Sequence, residues 1–163
     1  MLVVSDTSPL SSLAIIGRLQ LLRDQFAEVR MPPAVARELD ALTLPAARSA
    51  LSQAVQDGWL RETPLPASAP FPPALRGLDA GETEALRLAL AISAEHVLID
   101  EKEGRQRAAG LGLHSIGVLG ILLAAKQSAA IPALRPEIEK LRRDAGFFVD
   151  RRLEARVLTM ASE

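Results

Sequence analysis

The sequence predicts a single three-layer α/β/α domain with a mostly parallel sheet. Three observations predict it. The chain has 163 residues, the size of one domain that can hold a core without disulfides or metal staples. Short apolar runs of strand character alternate along it with longer segments of helical period, and strands separated by helices pair in parallel. No internal repeat breaks that alternation, so 1–163 reads as one domain, with 132–163 as a C-terminal helical extension.

Residues 2–5 form an apolar run that reads as a buried strand. Asp6-Thr7-Ser8-Pro9 then opens a helix, with Ser8 as cap, Pro9 at the first helical position and Gly17 as its stop. A short helical piece covers 19–23. Residues 27–31 read as the second strand, and Pro32-Pro33 starts a helix through Val35, Glu38 and Leu39. A further helix covers 45–56 and ends at Gly58, and 59–61 reads as a short extended segment. The stretch 64–78 holds five prolines and reads as a loop or lid. Helix 83–94, strand 96–99, helix 101–110 and strand 114–116 follow. After them come a buried helix over 117–127 and two charged amphipathic helices over 134–145 and 150–161.

Composition narrows the chemistry. There is no cysteine and there are only two histidines, His96 and His114. That excludes disulfides and thiolate sites and argues against a histidine-rich zinc site. A metal here would be held by oxygen, which points to magnesium, manganese or calcium. Net charge is −1, so nucleic acid would have to be met by a local basic patch or a bound cation. One tryptophan and no tyrosine argue against a base-stacking platform. The start lacks a basic, signal-like segment, and the longest apolar run, near 118–125, is too short for a bilayer. The expectation is a soluble, cytoplasmic protein with no membrane partner.

Ligands of open α/β sheets bind beyond the carboxyl ends of the strands. Asp6 directly follows the first strand and Asp100 the one over 96–99; Glu82 begins a helix and Glu38 lies near the end of one. Singly, each has a structural reading: Asp6 as a turn residue, Asp100 as a helix cap, Glu82 and Glu84 as partners of a helix dipole. Glu38 opposes the dipole of its own helix, so a nearby cation, Arg37 or plain solvation would have to compensate. Together the four carboxylates repel one another, and a divalent cation relieves that repulsion.

The motifs also resemble a known family. Val3-Val4-Ser5-Asp6-Thr7-Ser8-Pro9-Leu10 looks like the opening of PIN domains. Pro32-Pro33-Ala34-Val35-Ala36-Arg37-Glu38-Leu39, Leu78-Asp79-Ala80-Gly81-Glu82-Thr83-Glu84-Ala85 and Val97-Leu98-Ile99-Asp100-Glu101-Lys102-Glu103-Gly104-Arg105 resemble the family's next three elements, in order. The resemblance covers nearly the whole chain and is nearest to a bacterial branch with a Gly-Glu-x-Glu-Ala motif. It implies a ribonuclease dependent on Mg²⁺ or Mn²⁺, often the toxin of a toxin–antitoxin pair. Asp6, Glu38, Glu82 and Asp100 would be its metal-binding catalytic core, Glu101 an outer or second-metal ligand, and Ser8 a support hydrogen-bonded to Asp6. RNA would be the substrate, an antitoxin protein a partner, and a homodimer through the apolar helices 9–22 and 117–125 the assembly. The chain departs from the common pattern in having Glu82 where aspartate is usual and Asp100-Glu101 where the branch has two aspartates.

Other constellations carry less. The serines near Asp6 lack a nucleophile elbow. His96 and His114 begin strands and read as structural, and Gly110-Leu111-Gly112 lacks the spacing of a phosphate loop. Lys102 and Arg105, with Arg107, follow Asp100 on one helix and either steer RNA or form a solvated face. Arg142-Arg143 and Arg151-Arg152, interleaved with acids, read as surface. Two rival functions share these residues: a non-catalytic PIN-like module that binds a protein or nucleic acid, and a phosphatase or flap-type nuclease acting on DNA.

Overall fold

The computed structural model describes residues 1–163. Five strands, β1 (Val3–Ser5), β2 (Val29–Met31), β3 (Leu60–Glu62), β4 (His96–Leu98) and β5 (His114–Ile116), form one sheet in the order β3-β2-β1-β4-β5. Every pairing is parallel. The helices are α1 (Thr7–Ile15), α2 (Gln20–Phe26), α3 (Pro33–Asp40), α4 (Pro45–Gln56), α5 (Ala80–Ala91), α6 (Lys102–Gly110), α7 (Val118–Gln127), α8 (Arg135–Ala145) and α9 (Arg151–Met160). The proline-rich stretch is a loop with a single 3₁₀ turn at Pro73–Leu75. The extended segment read at 59–61 is a true edge strand, β3, shifted by one residue; its three residues pair with the whole of β2.

The sheet separates two cores because strand side chains alternate. Val3 and Leu98 face a large cluster that includes α1, α2, α4, α7, α8 and α9. Val4, Val97 and Ile99 face a smaller one under α5 and α6. Residues 132–163 supply Leu134, Ile138, Leu141, Val157 and Leu158 to the larger cluster. A buried Glu137 carboxylate accepts from Arg18 at 2.8 and 3.1 Å and clasps this end of the chain to the segment after α1.

Apolar residues of α1 and α7 face the core, and no large exposed hydrophobic side chain lies on either helix. No helix is long and apolar enough to cross a membrane. His96 and His114 pair at the amino ends of β4 and β5, with ring centroids 6.1 Å apart, at the end of the sheet away from the acids.

Candidate active site

In this strand order the chain turns one way from β1 to β2 and the other way from β1 to β4. A crevice therefore opens beyond the carboxyl ends of β1 and β4, where α/β proteins bind ligands. Asp6 and Asp100 stand on either side of it. The Asp6 N–H donates to the Leu98 carbonyl at 2.9 Å, so the sheet ladder continues through the aspartate itself. The Ile99 N–H donates to the Ile116 carbonyl at 3.0 Å and carries Asp100 past the end of β4 in the same way.

Glu38 reaches the crevice from α3. Its carboxylate accepts from the Gly81 N–H at 3.0 Å and from the Thr7 hydroxyl. The compensation for its unfavourable place on α3 is therefore the positive end of α5, not Arg37. Gly81 is the meeting point: a Cβ built there would stand 2.7 Å from one Glu38 oxygen and 3.0 Å from an Asp6 oxygen. Glycine is required here for clearance, not for its backbone angles.

Glu82 is buried, and its Oε1 has no hydrogen-bond partner. A Cβ on Gly104 would stand 2.6 Å from that oxygen. Asp100 lies on the other flank, where its two oxygens accept from the Ser8 hydroxyl and the Val118 N–H, each at 2.8 Å. It caps α7 rather than the α6 that follows it. The expected hydrogen bond from Ser8 to Asp6 is thus corrected: Ser8 binds Asp100 instead. Ser8 does not cap α1 either, because that helix already starts at Thr7 and the hydroxyl is turned across the crevice. Glu101 is exposed just before α6, and Lys102 and Arg105 are exposed on it. A Cβ on Gly117 would stand 2.9 Å from the Arg105 guanidinium and 3.0 Å from Asp100, so cation and carboxylate share one clearing.

The electrostatics follow from this crowding. Burial pushes the Asp6 carboxyl up to about 7, helped by the charges of Asp79, Glu82 and Glu38 and opposed by the Thr7 backbone N–H. Burial also raises Glu82, together with Asp79, Glu101 and Glu103. Asp100 is raised by burial too, against the hydrogen bonds from Val118 and Ser8 and the charge of Arg105.

A family profile described as DUF3368, a PIN domain, matches residues 2–163. The chain belongs to the PIN-domain family. No curated protein and no solved structure matches it. PIN domains are typically nucleases and often bind divalent metals.

The residues of this PIN domain fit such an ion in their chemistry. The donors are all carboxylate oxygens, as Mg²⁺ and Mn²⁺ prefer. A cation would relieve both the raised Asp6 and the unpartnered Glu82 oxygen. No three histidine, aspartate or glutamate side chains stand grouped around one point. Mg²⁺ needs only one or two protein carboxylates, since it keeps several of its waters.

Sequence reasoning missed Thr7 and Asp79. Asp79 caps α5 by accepting from the Glu82 N–H at 2.8 Å and adds its charge to both Asp6 and Glu82. An aspartate three residues before a glutamate at a helix start was the available signal. Glu84, by contrast, is a structural acid. It accepts from the Ala34 N–H at 2.8 Å and caps α3, a different helix from its own.

Proposed function

We propose that this PIN domain is a ribonuclease that hydrolyses RNA phosphodiester bonds with Mg²⁺ or Mn²⁺. One observation carries the reading most: the Glu38 and Asp6 carboxylates, from distant parts of the chain, converge over Gly81 at the crevice of the sheet. A divalent cation, like the proton that Asp6 otherwise keeps, relieves such like-charge crowding. When bound, the ion supplies Lewis-acid polarisation of a phosphate and activation of water.

The chain's own groups do the positioning. Asp6 and Glu38 offer the central carboxylates. Thr7 and Gly81 hold Glu38 in place, and Ser8 and Val118 hold Asp100. Glu82 offers a buried oxygen with no competing donor. Glu101 offers a further carboxylate nearer solvent. Lys102 and Arg105 draw the RNA backbone towards Asp100. In this reading the protein works in the cytoplasm as the toxin of a toxin–antitoxin pair, and the antitoxin is its protein partner.

A second reading is a non-catalytic PIN module that binds protein or nucleic acid through the same crevice. The absence of three acids grouped around one point favours it. The deciding experiment is cleavage of a mixed RNA pool by wild type and Asp6→Asn, with manganese and with EDTA. The nuclease reading expects metal-dependent cleavage that falls at least about a hundredfold in the variant, the scale of losing a key electrostatic group. Cleavage that is unchanged in Asp6→Asn contradicts it, and intact RNA under all conditions supports the module.

A further inference from the structure

Helices α3 and α5 cap each other. The Gly81 N–H, in the first turn of α5, donates to Glu38 of α3 at 3.0 Å. The Ala34 N–H, in the first turn of α3, donates to Glu84 of α5 at 2.8 Å. In each helix the donor is the second residue, and the carboxylate lent to the neighbour stands a turn further on. Residue 34 thus meets 84 and residue 38 meets 81, so the two first turns lie antiparallel, with a carboxylate–amide clasp at each end.

The two clasps are unequal. Helix α5 has a cap of its own in Asp79, so it does not need Glu38 to begin. The Glu38 clasp is also crowded, because Asp6 shares the space over Gly81. Helix α3 has no cap of its own. Pro32 before it offers no side-chain oxygen, and Pro33 offers no N–H. Ala34 carries the first free N–H of that helix, and Glu84 is the side chain that meets it. The other Glu84 oxygen has Arg37 at 3.9 Å. Both oxygens are thus engaged with α3, which leaves Glu84 no part as a metal ligand.

We propose that Glu84 is a positioning residue of the candidate metal site: by holding the start of α3 against α5, it keeps the Glu38 carboxylate over Gly81 and beside Asp6. The inference rests on the metal-dependent reading and adds to it a residue that touches no ion. Two like charges move apart when the elements that carry them are free to do so. A second attachment a turn away removes that freedom and leaves the carboxylates ready for a cation.

The test compares wild type, Glu38→Ala, Glu84→Ala and Glu84→Gln by amide hydrogen exchange without metal and by calorimetric titration with Mn²⁺ alone. The first-turn Gly81 N–H has no acceptor in its own helix, so its exchange reports whether Glu38 is in place. In Glu84→Ala, Gly81 exchanges as fast as in Glu38→Ala, although residue 84 does not touch it, while the Asp6 amide in the sheet ladder stays as protected as in wild type. Mn²⁺ affinity falls at least about tenfold, the scale of losing a group that orients a metal ligand. Glu84→Gln keeps an oxygen that accepts from Ala34, and it restores both the Gly81 protection and most of the affinity. Wild-type protection of Gly81 in Glu84→Ala makes Glu84 a cap of α3 only and overturns the proposal. Affinity lost in Glu84→Gln while Gly81 stays protected makes Glu84 itself a ligand and overturns it too. If wild type takes up no Mn²⁺ and Glu84→Ala still frees Gly81, the positioning of Glu38 stands and the metal-dependent reading fails.

Discussion

Asp6 has little freedom to move away from its neighbours. Its backbone is part of the sheet ladder, and burial and three nearby carboxylates hold its proton to about pH 7 against an ordinary value of 3.8. The consequence for stability has a definite sign. At pH 3 both folded and unfolded chains carry the proton, and nothing is lost. As pH rises from about 3.8 to 7, the unfolded chain ionises while the folded one does not, so the metal-free protein loses stability over that window. Asp6→Asn removes the effect. Without metal, the variant should melt several degrees above wild type at pH 8, and the gap should close towards pH 4. Calorimetry across that range checks it, and a constant gap would mean that the residue's electrostatics are ordinary.

Helix α5 shows what a motif can hide. The Gly-Glu-x-Glu pattern was legible as a helix start rich in acids, but the roles of its members were not. Gly81 makes room for carboxylates from two other elements, Glu82 is buried against Gly104 of α6 with an unpartnered oxygen, and Glu84 caps α3. Those roles depend on which helices pack together, which sequence spacing does not report. Gly81→Ala separates them. Alanine normally favours a helix by about 1 kcal/mol over glycine, and the atoms it meets are the ends of flexible side chains. Stability without metal should stay near that of wild type. The rise in melting temperature with millimolar manganese should shrink to a small part of the wild-type rise, because Glu38 and Asp6 can no longer converge. Thermal melts with and without manganese read both quantities, and an undiminished rise would remove Gly81 from the site. Ser8 teaches the same lesson at the start of α1: its position near Asp6 in sequence was legible, its turn towards Asp100 was not.

For the whole molecule, alternation of apolar runs and helical periods was enough to read a parallel three-layer fold, because the central strands β1, β2 and β4 are mostly buried. The edge strand β3 was harder to read, since Arg61 and Glu62 are exposed and only Leu60 is buried. Strand order was not legible either, yet it places the ends of β1 and β4 side by side and so brings Asp6 and Asp100 to one crevice. The central claim is that this crevice holds a divalent ion through those acids. The most direct measurement is an anomalous difference map from crystals soaked in manganese. The account predicts a peak in contact with the Asp6 carboxylate and with at least one of Glu38, Glu82 or Asp100. A saturating soak with no peak there, or a peak only at other residues, would contradict it.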